Sequence, residues 1–383
     1  MPVRIVFNSR HEDGWGDRYE CDVILPDGVE HKIWYSIPSG FFAHNDSVAT
    51  ALTALCNKKF DEIYFNFPVS EKCRLAIERR NACKVTAPGT IDARVPGERC
   101  GLAFSGGFDS LAAWLLSPDD YIRVGMDWLT GFERERDWLQ KMQPEALIQT
   151  NVRELGYNRI DNRFMGSGVA LYADYLGLGE LAFGTIMEGG PHQLRVTTPQ
   201  THPPQWLAAG VVDATPTRGV NQVSTGVIIA HFRPDLLEGS LASLARPGQE
   251  KYLRKSLILG CAMNRVHGTP IDTSKYVIPR VKTRYGKSYA FDFITLFFMK
   301  KFGREFVSRW ADGLDHVTDD DLAAIDEEFF HKRNPLFDGQ MSPRFRDRAI
   351  ARMTEAGIGV YEGKDWDTLD RVRDILAPFH PVK

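Results

Sequence analysis

Apolar and polar positions alternate along residues 3–7, 18–25 and 31–37, the two-residue period of strands with one buried face. Pro26-Asp27-Gly28 supplies the turn between the second and third runs. Residues 47–57 change to helical spacing behind Asp46, a good N-cap residue. A strand pattern comes next at 62–67, then a helix at 71–80 and a short strand at 83–86. These elements predict a small α+β domain over residues 1–95, joined to the rest of the chain by the Pro- and Gly-bearing stretch 87–98.

From residue 99 onward the two patterns alternate, with strands at 102–104, 121–129, 146–151 and 181–184 and helices at 109–116, 132–142 and 169–177. That order predicts an α/β core over residues 96–265 with a parallel sheet covered by helices. In such a sheet ligands sit at the carboxyl ends of the strands, beside the point where strand order reverses. The ends to inspect are 105–110, 126–127, 150–153 and 184–188. From Glu188 to Val220 periodicity lapses in a stretch rich in Pro, Thr, His and Gly, the mark of a functional or disordered loop. The region 266–383 reads as mostly helical, most clearly at 289–302, 319–330 and 366–376.

Composition narrows the function classes. With 383 residues, 43% hydrophobic and 25% charged, the chain has material for two or three globular units. No apolar run approaches the roughly 18 residues that span a bilayer, so no membrane partner is expected. The opening Met1-Pro2-Val3-Arg4 lacks the apolar core of a signal peptide. Cys21, Cys56, Cys73, Cys83, Cys100 and Cys261 form no Cys-x-x-Cys pair, and a reduced, cytoplasmic setting is the simplest expectation. A net charge of −3, with no basic stripe interleaved with aromatics, disfavours nucleic acid, although Lys275, Arg280, Lys282, Arg284 and Lys287 make a local basic run.

The densest chemistry lies at Ser105-Gly106-Gly107-Phe108-Asp109-Ser110, directly after the apolar run that ends at Phe104. A strand that ends in glycines and opens a helix presents successive N–H groups and the positive end of the helix dipole to an anion. No lysine follows the glycines, so this is not the loop that cradles the later phosphates of a triphosphate. Asp109 suits such a turn as a helix cap, as a ligand of Mg²⁺, or as both.

Ser-Gly-Gly-x-Asp-Ser resembles the pyrophosphate loop of the ATP pyrophosphatase superfamily, which includes asparagine synthetase, GMP synthetase, cyano-deazaguanine synthase and the tRNA thiolation enzymes. The likeness covers roughly residues 99–265, and its layout is similar to that of cyano-deazaguanine synthase. It implies ATP bound through Phe104, Ser105, Gly106, Gly107, Asp109 and Ser110, with Met126, Gly184 and Thr185 completing the nucleotide site. It implies Mg²⁺ on Asp109 and Glu188. Lys251-Tyr252-Leu253-Arg254-Lys255-Ser256 is similar to a stretch near the active site of asparagine synthetases, which makes Lys251 and Arg254, with Asp109, the catalytic candidates. The plainer readings stay open: Thr185 and Glu188 as an ordinary loop, Met126 as one core residue among many, and 251–255 as a solvated helix face.

Departures from the superfamily count as well. Only Cys261 follows Cys100, so the four-cysteine zinc site of cyano-deazaguanine synthases is absent. No cysteine opens the chain as it opens glutaminase domains. Cys261, which a helix would place on one face with Arg254, Ile258 and Arg265, is the candidate sulfur carrier or else a small core residue. His192, His202 and Arg195 are loop residues to test on the acceptor. The expected activity is AMP- and pyrophosphate-forming adenylation of a small-molecule carbonyl or carboxylate, followed by nitrogen transfer. The alternatives are sulfur transfer and a nucleotide sensor without turnover. Expected partners are the small-molecule substrate, a separate ammonia or sulfur donor protein, and a second copy of the chain.

Overall fold

The strand-rich first hundred residues build a five-stranded mixed sheet. In the computed structural model, which describes residues 3–10, 16–56, 60–159, 162–189 and 205–381, the strands are β1 (Arg4–Ser9), β2 (Arg18–Ile24), β3 (Glu30–Ser36), β4 (Glu62–Phe65) and β6 (Lys84–Thr86). Their order is β3-β2-β1-β4-β6, antiparallel among the first three and parallel from β1 to β6. Helices α1 (Asn45–Thr53) and α2 (Glu71–Asn81) supply the crossovers, and β5 (Val69–Ser70) pairs with β7 (Thr90–Ile91). Gly28, at a φ of 82°, closes the turn between β2 and β3, a conformation that a side chain rarely takes.

The second sheet is parallel throughout. It contains β8 (Arg99–Ala103), β9 (Ile122–Asp127), β10 (Ala146–Gln149), β11 (Leu178–Ala182) and β12 (Val212–Asp213), in the order β10-β9-β8-β11-β12. The first strand in sequence is therefore central, and order reverses between β8 and β11, the position at which doubly wound sheets bind ligands. Helices α3 (Phe108–Leu116), α4 (Glu133–Met142) and α5 (Ser167–Leu171) intervene. The chain is thus α/β, with a mixed and a parallel sheet, and no described helix is long and apolar enough to cross a membrane.

The chain folds into two compact units, each discontinuous in sequence. The first takes in the described residues of Met1–Gly106, Asp119–Phe183 and Gln200–Ala214; the second takes in those of Gly107–Pro118, Gly184–Pro199 and Thr215–Lys383. Both sheets belong to the first unit and share one hydrophobic core, from Ile5 and Phe7 to Val124, Ile148 and Leu181. The second unit contains α3, α6 (Gln222–Phe232), α7 (Leu237–Leu244), α8 (Glu250–His267) and α9 (Tyr289–Phe302), with later helices at Arg346–Glu355 and Lys364–Leu376.

Several elements differ from the periodicity; the helix expected at 47–57 behind Asp46 begins at Asn45 with His44 as its N-cap and ends at Thr53. The expected strand at 181–184 begins earlier, at Leu178, because Gly177 turns the chain at a φ of 66° and releases it to pair with β8. The expected helix at 169–177 stops at Leu171 and continues as turns, among which Asp174 accepts from His44 N, Ser47 Oγ and Arg94 Nε. The pattern at 319–330 breaks at Ile325, and Asp326 caps a separate 3-10 turn.

Arg94 lies almost wholly buried, with Nε 2.7 Å from Asp174 Oδ1 and its remaining donors on the carbonyls of Ala209 and Leu178. Breaking such a pair leaves an uncompensated charge inside. Arg94→Met is expected to lower unfolding free energy by about 3–5 kcal/mol in urea titrations, and an unchanged midpoint would show the pair to be dispensable.

Candidate functional site

The loop forms because β8 ends where a left-handed residue is needed. Gly106 has a φ of 70°, and an added Cβ there would lie 2.6 Å from the Trp138 ring, so sterics and backbone both require glycine. Trp138 Nε1 donates to Gly106 O at 2.9 Å and fixes the turn. Gly107 is extended, with a φ of −77°, and is the N-cap of α3. Its glycine is not demanded by φ. Gly107 has no side chain of its own to cap the helix, and Ser110 Oγ donates back to Gly107 O at 3.1 Å. Phe104 is buried, and Ser105 is exposed.

Both strands that flank the reversal of order hand the chain to the second unit, β8 at Gly106–Gly107 and β11 at Phe183–Gly184. Within that unit Gly184 packs on the start of α3, where a Cβ would meet Ser110 N at 2.6 Å. Close backbone approach accounts for this glycine. Thr185 O accepts from Thr217 Oγ1 at 2.8 Å.

Around Asp109 the second unit assembles a charged cluster. Lys255 Nζ lies 3.3 Å from Asp109 Oδ1, and Thr225 Oγ1 donates to the same oxygen at 3.2 Å. The Lys255 side chain is 5% exposed, and burial lowers its pKa although the Asp109 charge acts against that shift. Its ammonium also lies 5.0 Å from the centre of the Phe108 ring. Glu188 is fully buried; one carboxyl oxygen accepts from Gln222 N at 2.7 Å, and among the described residues Oε2 has no hydrogen-bond partner. Burial pushes its carboxyl up to about 8, helped by the Asp109 charge and opposed by Lys255. Tyr289 and Tyr361 are within electrostatic reach of Glu188.

Two carboxylates and one ammonium can hold a phosphate and a divalent cation together, since Mg²⁺ takes one or two carboxylates and fills its shell with waters and phosphate oxygens. The unpartnered Glu188 oxygen fits that use. Among the described residues no cluster of three or more His, Cys, Asp or Glu could hold a metal alone, so Asp109 and Glu188 would need the phosphates as co-ligands.

The candidates of the 251–256 stretch fall on different sides of α8. Lys251 is exposed, and Arg254 donates to Glu250 Oε1 and Gln222 Oε1, both at 2.7 Å. Lys255, their neighbour, is the cation that reaches Asp109. Gln222 and Thr225 carry no sequence signal, because α6 is buried nearly all round and shows no period. Asn221 before it, which accepts from Val223 N and Ser224 N, is the legible cue for a helix start.

Met126 is buried in the first unit, and a Cβ on Gly168 would touch its sulfur, so it is packed core. Asp127, at the end of β9, accepts from Arg136 Nε, Gln149 Nε2 and Leu129 N. Cys261 is 4% exposed, and burial pushes its thiol up to about 12. The charges that act on it are those of Lys301 and Glu327, while Arg254 pairs with Glu250 and Arg265 forms a two-pronged pair with Glu328. His192, Arg195 and His202 lie outside the described residues. No family model, curated protein or solved structure matches the chain.

Proposed function

We propose that the chain is an ATP pyrophosphatase of the pyrophosphate-loop kind, which adenylates a small-molecule carboxylate or carbonyl and passes it to a nitrogen nucleophile. One observation carries the reading. The Ser-Gly-Gly-x-Asp-Ser turn leaves the central strand of a parallel sheet at its reversal of order, with Gly106 left-handed and Gly107 as the N-cap of α3.

The substrate oxygen attacks the α phosphorus, the bond to the bridging oxygen breaks, and pyrophosphate leaves with that electron pair. An amine then attacks the acyl adenylate, loses its proton and displaces AMP. Amides at the start of α3 receive the pyrophosphate oxygens, and Lys255 neutralises charge that grows on the leaving group. Asp109 and Glu188 would hold Mg²⁺, which would supply further charge neutralisation on the phosphates. Lys251 and Arg254 remain outer contributors, Arg254 through Gln222.

Nitrogen transfer is favoured over an internal sulfur carrier because Cys261 is buried and its thiol is held protonated. A separate donor protein supplies ammonia in this reading. A cytoplasmic setting suits six cysteines that form no Cys-x-x-Cys pair. Asp109→Asn keeps the shape of the side chain and removes its charge. Pyrophosphate release is expected to fall roughly 100-fold or more with the melting temperature nearly unchanged, and undiminished release would refute the assignment.

A further inference from the structure

In the first unit, three buried or half-buried arginines near the parallel strands end on carboxylates: Arg94 on Asp174, Arg123 on Glu145 and Arg136 on Asp127. Arg153 does not. It follows β10, and its guanidinium lies 3.8 Å from the centre of the Phe132 ring and 5.9 Å from that of Trp128. Among the described residues that guanidinium forms no hydrogen bond and no ion pair. Glu135 is the acid within electrostatic reach, and it opposes the downward pKa shift that burial imposes on Arg153.

Arg153 is half-buried, and its guanidinium, stacked over Phe132, keeps donors that are unpaired among the described residues open to solvent and to an oxyanion of matching geometry. The surroundings are packed and hydrogen-bonded. Trp128 is 7% exposed and packs on Phe164 at 4.9 Å between ring centres. Phe132 is the N-cap residue of α4, the helix that ties Gly106 through Trp138 and Asp127 through Arg136. The turn that carries Arg153 is pinned by Thr150 N on Asp127 O and by Gly156 N on Arg153 O. Arg153 therefore belongs to the same carboxyl ends of β8, β9 and β10 as Gly106 and Asp127.

We propose that Arg153, stacked on Phe132 and Trp128, is the binding site for an oxyanion that takes no part in the reaction, a phosphate or carboxylate that anchors the ligand. A two-pronged guanidinium grip on the reacting carboxylate would stabilise the ground state, in which that group is charged, more than the transition state, in which its charge is lost to phosphorus. A fixed second anion suits Arg153 without that penalty. Taking the anchored molecule for the acceptor rests on the ATP-splitting reading; the anion site itself does not.

The test omits ATP and Mg²⁺. Inorganic phosphate and sodium benzoate are titrated separately into the full chain and followed by ligand-observed NMR. One of the two is expected to bind in a way that Arg153→Met weakens roughly 10- to 100-fold, and that dependence identifies the anion this site takes. Arg153→Lys keeps the charge but loses the fork and the stacking, and is expected to recover only part of the affinity. Melting temperatures close to wild type would verify both folds, and Asp109→Asn is expected to bind the anion normally. The proposal is overturned if neither anion binds, if Arg153→Met binds as well as wild type, or if Asp109→Asn abolishes binding while Arg153→Met does not.

Discussion

Replacing Lys255 with methionine is expected to lower pyrophosphate release by roughly 100- to 1000-fold while the protein still folds. The side chain is of similar length and apolar, so the buried space along α8 stays filled, and the cost of desolvating an ammonium disappears. What is lost is the cation that, among the described residues, lies on Asp109 Oδ1, at 3.3 Å, beside the buried Glu188. Lys251→Ala, at an exposed position, is expected to change release by no more than a few-fold. Arg254→Ala is expected to act between these limits because its guanidinium holds Gln222, whose backbone N–H holds Glu188. Steady-state release of pyrophosphate by the three variants checks the ranking. A Lys255→Met enzyme with wild-type turnover, or a Lys251→Ala enzyme that is dead, would move the catalytic cation elsewhere.

The second large effect concerns pH and stability. Glu188 is held near a pKa of about 8 in the folded chain, against an ordinary value of 4.5. Between those two values the unfolded chain has released a proton that the folded chain keeps, so stability falls as pH rises from about 4.5 to 8 and levels above it. The loss is expected to be a few kcal/mol in EDTA, because the two values lie several pH units apart. Glu188→Gln cannot titrate and is expected to flatten this decline. Thermal unfolding of both proteins at about pH 5 and pH 8 tests it. If the wild type is as stable at the higher pH as at the lower, or if the variant declines in parallel with it, Glu188 is not the titrating group. Mg²⁺ should restore stability at the higher pH in the wild type alone if Asp109 and Glu188 hold it.

The loop is legible in sequence because its chemistry is contiguous: Ser105 to Ser110 sit side by side, and the apolar run before them announces a buried strand. The alternating core is legible for the same reason, since β8 to β10 and their helices succeed one another at short spacing. The cation on Asp109 is not. In α8 the apolar residues Leu253, Leu257, Ile258 and Cys261 admit more than one helical phase, and only packing decides that Lys255 turns inward while Arg254 meets Glu250. Thr225 and Gln222 are hidden because α6 is buried nearly all round, polar and apolar residues alike, so period cannot separate it from a loop. Arg94 and Asp174 meet across eighty positions of sequence, and nothing local to either announces the other. The Gly-Gly pair suggests a conformational need at both positions, yet the extended backbone of Gly107 is open to any residue, and Gly106 alone needs the left-handed region.

The bond at which ATP is split decides the reaction. Phosphorus NMR of the wild type with ATP, Mg²⁺, ammonium and a panel of small carboxylates is the direct measurement. Signals of AMP and pyrophosphate that grow together, and that vanish in Asp109→Asn, are the predicted result. ADP and orthophosphate as products, or AMP and pyrophosphate formed equally well by Asp109→Asn, would contradict it.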